Sequence, residues 1–254
     1  MMSRKELAEY AKLTGLNLGQ AEKDYFQNML LFIIYQIYGT EMVFKGGTAL
    51  KKCYGLGRFS EDLDFTCNGE FDTDQFENGL KRFRLEYTLD TKKYENGLKI
   101  MLKIKGPLYT GVPHSLCSFI LDISFRENVV LPPVTKTIGR FLEEIPAFDV
   151  FVMQEKEIFA EKIRAILSRN KARDVYDLWF LLGNGVEADE TLILEKFKYY
   201  KQFWNYAEFE ESVERKRSIW GELKPLIKTV PDFDNVKTLI LKEAKKWNSR
   251  KKRQ

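Results

Sequence analysis

Two aspartates separated by a single residue are the first chemically informative feature of the sequence. Asp62 and Asp64 stand in the run SEDLDFT, where Leu63 and Phe65 alternate with them. In a β-strand such residues point to the same face, so the two carboxylates would stand side by side and repel unless a cation neutralises them. Mg²⁺ suits this role because it binds one or two carboxylates together with substrate phosphates. The alternative is an acidic surface turn, although the interleaved apolar residues are unlike a solvated run of charges.

A third carboxylate, Asp122, lies in another apolar run, SFILDISF. Aspartate is rarely placed among apolar residues without a partner. A hydrogen bond at a strand end would explain Asp122, and so would a metal ion shared with Asp62 and Asp64. Three carboxylates from two strands suit two-metal phosphoryl transfer, in which one ion holds the triphosphate and the other activates the attacking hydroxyl. In that interpretation Asp122 is the general base or a ligand of the activating metal.

A pair of glycines precedes these acids. Gly46 and Gly47 follow the short apolar run 42–44, and Thr48 begins a predicted helix. Backbone N–H groups at such a turn, the positive end of the helix and the Thr48 hydroxyl together can hold a phosphate. A plain tight turn is the alternative, and the Walker A pattern GxxxxGK[ST] is absent.

A lysine and two aspartates later in the chain form a second candidate group. Lys162 lies at the edge of the apolar stripe of its predicted helix, where it either extends its ammonium group to solvent or binds a buried anion such as a triphosphate. On the next predicted helix, Asp174 and Asp177 share a face. Asp174 either forms a structural ion pair with Lys162 or Arg169, or positions the nucleotide or the acceptor. Two arginines are further candidates for phosphate contacts: Arg58 and Arg173.

Hydrophobic periodicity predicts the elements that must position these residues, and together they indicate an α+β fold. Helices are predicted over residues 3–39, 76–85, 154–168 and 173–182, with two or three more between 190 and 247. Strands are predicted over 42–44, 98–104 and 118–125. Ser3 and Glu6 form a predicted capping box at the first helix. The change from strand patterns to helix patterns places a domain boundary near residue 150.

Composition excludes several classes of protein. The chain has 254 residues, 44% of them hydrophobic, and 41 basic against 37 acidic residues give a net charge of +4, so it is not a disordered chain. No apolar run reaches the roughly 18–20 residues that span a membrane, and the N-terminus lacks the apolar core of a signal peptide. The only histidine, His114, argues against a His-based zinc site, and three unpaired cysteines agree with a cytoplasmic location.

The motifs resemble those of one known family. The segment KGGTALKKCYGLGRFSEDLDF resembles the AbiEii/AbiGii toxin family of nucleotidyltransferases, part of the DNA polymerase β-like superfamily. That superfamily combines a Gly-Gly or Gly-Ser turn, a D-x-D strand and a third acid on a nearby strand. The family also has the pattern A-E-K-x-x-A followed by R-x-x-x-R-D-x-x-D, which is similar to residues 160–165 and 169–177 here. The resemblance covers residues 40–182.

The resemblance implies both an architecture and a reaction. Residues 1–150 would form a nucleotidyltransferase core, a mixed β-sheet flanked by helices, and residues 151–254 a C-terminal helical domain. The implied monomeric enzyme uses Mg²⁺, with two ions expected, to transfer a nucleoside monophosphate from an NTP to an acceptor such as the tRNA 3′ end. It acts as the toxin of a toxin–antitoxin system, with a cognate antitoxin encoded nearby. The implied catalytic residues are Asp62, Asp64, Asp122, Lys162 and Asp174, with Asp62, Asp64 and Asp122 holding the metal. The implied nucleotide-binding residues are Gly46, Gly47, Thr48, Arg58, Lys162 and Arg173.

Other functions stay open at this point. The same fold could transfer a nucleotide or a phosphate to a small molecule or a protein, and a non-catalytic binding protein is a third possibility. The basic tail 242–253 and the aromatic-rich segment 197–220 permit RNA binding. Their simpler interpretations are a solvated chain end and a pair of helices whose aromatic residues are core.

Overall fold

The computed structural model describes residues 1–125, 129–139 and 144–250. The chain divides into two compact units. The first unit comprises Met1–Cys53, Ser60–Val129 and Pro133–Met153, and the second comprises Tyr54–Phe59, Val130–Pro132 and Gln154–Gln254. The division into domains 1–150 and 151–254 remains a prediction. It does not anticipate that the short segment Tyr54–Phe59 belongs to the second unit.

The first unit is built on a seven-stranded sheet in the order β3-β4-β5-β2-β1-β7-β6. Its strands are β1 (Met42–Lys45), β2 (Leu63–Cys67), β3 (Tyr87–Tyr94), β4 (Gly97–Ile104), β5 (Cys117–Ser124), β6 (Val134–Ile138) and β7 (Phe148–Val152). The sheet is mixed, because β2 pairs with β5 and β1 with β7 in parallel whereas the other pairs are antiparallel. The predicted α+β class is confirmed.

The helices of the first unit are α1 (Arg4–Thr14), α2 (Leu18–Tyr38), α3 (Gly46–Tyr54) and α4 (Thr73–Arg82). The predicted capping box of Ser3 and Glu6 is present at α1. The helical region predicted over 3–39 consists of two helices, because Gly15 adopts a left-handed φ of 68° and ends α1. A second capping box, Asn17 with Gln20, then begins α2. On the buried side of the sheet, Phe26 of α2 packs edge-on against Phe119 of β5.

Alternation along β4 and β5 separates a core face from an exposed face. In β4 the residues Leu98, Ile100, Leu102 and Ile104 are buried, as the sequence predicts. In β5, Phe119, Leu121 and Ile123 are buried, whereas Ile120 and Asp122 are exposed. The sequence did not predict β6 and β7, which lie in the proline-punctuated region after residue 126.

The second unit is helical in the part of the chain that the structure describes. Its helices are α5 (Glu155–Ser168), α6 (Ala172–Gly183), α7 (Glu190–Tyr199), α8 (Tyr206–Arg215) and α9 (Phe233–Arg250). In the aromatic-rich segment Phe197, Phe209 and Trp220 are buried, which agrees with the core interpretation, although Phe203 is 88% exposed. Lys251, Lys252 and Arg253 of the predicted basic tail lie outside the described residues. Among the helices so described, none combines the length and the apolar character that crossing a membrane requires.

Candidate active site

The sheet brings two of the three predicted carboxylates together. β2 and β5 are parallel neighbours, and Asp64 stands opposite Asp122 in their register. Neighbouring strands lie about 4.8 Å apart, and residues paired in this way project from the same face of a sheet. The Asp122 side chain is 52% exposed, and the Nζ of Lys99 on β4 lies 3.6 Å from its Oδ2. Asp122 is therefore accessible and has Lys99 beside it, while Asp64 is partly exposed.

Gly46 fixes the position of one of these carboxylates. β1 ends at Lys45, which pairs with Asp64, and α3 begins at the next residue. Gly46 has a φ of +75°, and a Cβ atom at this position would overlap the Asp64 carboxylate. The left-handed φ favours glycine, and the close approach requires it. The N-terminus of α3 thus starts directly beside Asp64.

Thr48 connects α3 to the segment before β2. It is fully buried, and its Oγ1 donates a short hydrogen bond to the carbonyl oxygen of Asp62. The hydroxyl proton is used within the protein, which favours a positioning role for Thr48 over direct contact with a phosphate. Gly47 is buried in the first turn of α3, and Asp62 is partly exposed just before β2 begins.

The donor atoms of the carboxylate pair suit a hard cation. Asp64 and Asp122 offer carboxylate oxygens from one face, and Mg²⁺ completes its coordination with phosphate oxygens and water. Among the described residues, no three Asp, Glu, His or Cys side chains are grouped so that they could hold a metal ion by themselves. The participation of Asp62 as a third ligand remains a prediction.

Lys162 lies in the second unit within a buried network of charges. Its Nζ is 3.0 Å from Asp174 Oδ1 and 2.7 Å from Asp177 Oδ2. Arg58 binds both carboxylate oxygens of Asp177, at 2.6 and 2.7 Å. Arg169 binds both oxygens of Asp174, at 2.7 and 2.8 Å. Three cations surround two carboxylates, so this network carries a net charge of +1.

The network keeps both aspartates ionised. Burial by itself would raise the pKa of Asp174, but the charge of Lys162 and the hydrogen bonds from Arg169 outweigh it and hold this pKa well below its usual value. Burial likewise opposes ionisation of Asp177, and Arg58 and Lys162 together lower its pKa. The ion pairs proposed for Asp174 with Lys162 and with Arg169 are thus both present.

The remaining predicted residues are placed as follows. Arg58 is 1% exposed and fully engaged with Asp177, which favours a structural role over a phosphate contact. Arg173 is partly exposed in the first turn of α6. Two residues that interact with predicted site residues, Asp177 and Lys99, were not themselves assigned a catalytic or binding role. Asp177 could have been found from its spacing to Asp174, whereas Lys99 depends on the β4–β5 register, which the sequence does not indicate.

Comparison with known proteins adds a family to this geometry. The family described as nucleotidyl transferase AbiEii toxin, type IV TA system, matches residues 30–253. No protein of curated function shows significant sequence similarity to the chain.

Three solved structures share the fold, each at 21% sequence identity. MenT4, a nucleotidyltransferase toxin from Mycobacterium tuberculosis H37Rv, has a TM-score of 0.67, with 96% of this chain and 88% of that chain covered. JHP933 from Helicobacter pylori has a TM-score of 0.56, with coverage of 89% and 90%. A putative nucleotidyltransferase from H. pylori has a TM-score of 0.55, with coverage of 88% and 93%. Because the family match spans most of the sequence, the resemblance noted from the motifs is confirmed, and the chain belongs to the AbiEii family of nucleotidyltransferase toxins of type IV toxin–antitoxin systems.

Proposed function

We propose that this nucleotidyltransferase toxin transfers a nucleoside monophosphate from an NTP to the 3′ end of tRNA in the cytoplasm, and that a cognate antitoxin opposes it. The observation that carries the proposal is the pairing of Asp64 with Asp122 on an accessible face, beside the N-terminus of α3. Paired carboxylates and a helix N-terminus are the groups that bind metal-complexed phosphates. Family membership supplies the toxin, the NTP substrate and the antitoxin.

Different groups of the first unit would bind the metal, bind the phosphate and accept the proton during transfer. Asp64 and Asp122, with Asp62, would hold Mg²⁺, which when bound neutralises the triphosphate and makes the acceptor hydroxyl more acidic. The N–H groups at the start of α3 would bind a phosphate oxygen. The acceptor oxygen forms a bond to the α-phosphorus as the bond from that phosphorus to pyrophosphate breaks. Asp122 would accept the proton of the acceptor hydroxyl, since its side chain is exposed to an incoming group.

The charged network of the second unit is the other group of proposed site residues. The network around Lys162 retains a net charge of +1 although two carboxylates are buried in it. Arg58 and Lys162 are buried, whereas Arg169 is 49% exposed, so the excess positive charge of the network is accessible to a polyanionic triphosphate. We therefore keep Lys162 as a nucleotide-binding residue, with Asp174 as the residue that positions it. Gly47 and Arg173 also remain proposed nucleotide-binding residues.

The decisive experiment uses purified protein, Mg²⁺, total tRNA and each α-³²P-labelled NTP in turn. We expect label on tRNA with one or more NTPs, and no label with Asp64→Ala because one of the two aligned carboxylates is lost. The matched control is Asp149→Ala, which removes an exposed carboxylate from β7 of the same sheet and should leave transfer unchanged. Circular dichroism of both variants verifies that the fold is retained.

Other results would redirect the assignment. Metal-dependent NTP binding without label on tRNA would indicate a small-molecule or protein acceptor. Failure to bind any NTP would indicate a non-catalytic protein. Full activity of Asp64→Ala would show that the carboxylate pair is not the metal site.

A further inference from the structure

One face of the sheet extends the carboxylate pair into a broader surface. Side chains of β3, β4 and β5 that alternate with the core residues project from the same face as Asp122. We call this surface the open face, and define it by Lys92, Tyr94, Lys99, Met101, Lys103 and Ile120. In contrast, α2 packs on the opposite, buried face of the sheet.

Away from the carboxylate pair, the open face carries a small excess of positive charge. Lys92 stands opposite Lys99 in the β3–β4 register, and Lys103 follows on the same face of β4. The nearest acid of this face beyond the carboxylate pair is Asp90, which stands opposite Met101. Lys99 is offset by Asp122, which lies 3.6 Å away, so Lys92 and Lys103 against Asp90 leave the rest of the face with a small excess of positive charge. Such lysines bind a polyanion because its phosphates release counterions when they are bound.

The open face also exposes flat and apolar groups among the lysines. Tyr94 is 49% exposed, with Lys92 Nζ at 5.4 Å and Lys99 Nζ at 6.0 Å from its ring centroid. Met101 and Ile120 are paired in register and are 36% and 37% exposed. Exposed aromatic and apolar side chains among cations are the features on which unpaired bases stack, while lysines bind the backbone.

Lys99 connects this surface to the carboxylates. Its Nζ is 3.6 Å from Asp122, so a chain bound along the open face would bring its end to the Asp64–Asp122 pair. We propose that the open face binds the single-stranded 3′ end of the acceptor RNA, with Lys92 and Lys103 on its phosphates and Tyr94 stacked against a base. The inference rests on the proposed function, because it identifies the surface that presents the acceptor to that site.

The test measures RNA affinity apart from catalysis. Fluorescence anisotropy follows binding of a labelled single-stranded oligoribonucleotide with a free 3′ hydroxyl, with every variant made in the Asp64→Ala protein so that no transfer occurs. Lys92→Glu and Lys103→Glu should each weaken binding by about tenfold or more and reduce its salt dependence. The matched control is Lys93→Glu, an adjacent exposed lysine on the same strand that pairs with the core residue Leu98 and so projects from the other face. Its affinity should stay within about twofold of the parent protein, since it lies off the proposed path.

Two substitutions of Tyr94 test whether its ring stacks against a base. Tyr94→Ala should weaken RNA binding by about tenfold because base stacking is lost, whereas Tyr94→Phe should retain binding. NTP affinity, measured in proteins that retain Asp64, should be unchanged by the Lys92, Lys103 and Tyr94 substitutions. That readout also shows whether each variant is folded.

Each outcome has a defined meaning. Equal RNA affinity for Lys92→Glu and Lys93→Glu, or no RNA binding by the parent protein, overturns the open-face proposal. Label transfer to tRNA by the wild type together with unaltered RNA binding in the open-face variants would retain the proposed function and reject this surface. Face-specific RNA binding without any transfer would retain the surface and reject the proposed chemistry.

Discussion

At Gly46, a single missing Cβ atom determines where the catalytic candidates stand. The backbone is left-handed there, and the Asp64 carboxylate occupies the space that a side chain would need. The sequence indicates that a turn follows β1, because two glycines precede a helix pattern. It does not indicate which carboxylate the turn approaches, since that contact depends on strand pairing.

Gly46→Ala should therefore impair activity as well as lower the free energy of unfolding. A left-handed φ costs an L-residue about 1–2 kcal/mol, and the new methyl group would also displace Asp64. We expect loss of nucleotide transfer together with a modest fall in the free energy of unfolding in urea. Gly111→Ala is the matched control, because Gly111 has a φ of +92° with open space around it. The control should lose similar stability but keep its activity, and equal activity of the two variants would contradict the close contact.

Arg58 shows how a residue type can mislead when its partner is distant in sequence. An arginine near a glycine turn suggests a phosphate ligand, yet Arg58 binds Asp177, which is 119 residues away. Pairings over such separations follow from tertiary structure, so no local pattern predicts them. The geometry of the pair, with two short hydrogen bonds, is that of a buried structural ion pair.

Removal of one member of this buried pair should be severely destabilising. Arg58→Ala leaves Asp177 buried with Lys162 as its remaining partner in the network, and breaking such a pair costs about 3–5 kcal/mol. Urea unfolding followed by far-ultraviolet circular dichroism, which reports on both units, measures the change. Arg82→Ala, at an exposed position on α4, should change stability by less than about 0.5 kcal/mol. A comparable effect of the two substitutions would show that Arg58 is not essential to the network.

At the scale of elements, the sequence predicts those whose periodicity is strong. The alternation along β4 and β5, and the helices α4, α5 and α6, agree with their predicted positions to within a few residues. β6 and β7 were missed because each has five residues and lies near prolines, and β6 places Thr-Lys-Thr between Val134 and Ile138 and so has no clear apolar run. The register that places Asp64 beside Asp122 could not be predicted, because pairing is set by the whole sheet.

The pairing of α5 with α6 should make the second unit sensitive to acid. Asp174 of α6 and its neighbour Asp177 have folded-state pKa values below their unfolded value of about 3.9. Their ionisation therefore stabilises the fold above pH about 4, and this contribution is lost as the pH falls towards the folded-state values. The free energy of unfolding should fall steadily below pH about 4.

High salt distinguishes the acid sensitivity caused by the buried network from that caused by exposed ion pairs. Exposed ion pairs such as Lys105–Glu86 are screened at about 1 M NaCl, whereas the buried network is not. The acid dependence, measured by urea unfolding at a series of pH values, should persist in high salt. A flat profile, or one that salt abolishes, would contradict the role of the network.

For the whole molecule, the distribution of tryptophan separates the two units spectroscopically. All four tryptophans, Trp179, Trp204, Trp220 and Trp247, belong to the second unit. Intrinsic tryptophan fluorescence therefore follows that unit, whereas far-ultraviolet circular dichroism follows both. Non-coincident transitions by the two methods would reveal that the units unfold separately.

The position of the segment Tyr54–Phe59 in the chain limits which recombinants of homologous proteins can fold. It lies in the chain between α3 and β2 of the first unit, yet Arg58 pairs with Asp177 and the Phe59 N–H donates to the carbonyl of Leu226, both in the second unit. A recombination crossover near residue 150 would join this arginine to an α6 from another lineage. Unless that helix carries an acid at the position of Asp177, the chimaera would bury an unpaired guanidinium group. Homologous exchange should therefore be tolerated only when Arg58 and Asp177 are inherited together, although 119 residues separate them in the chain.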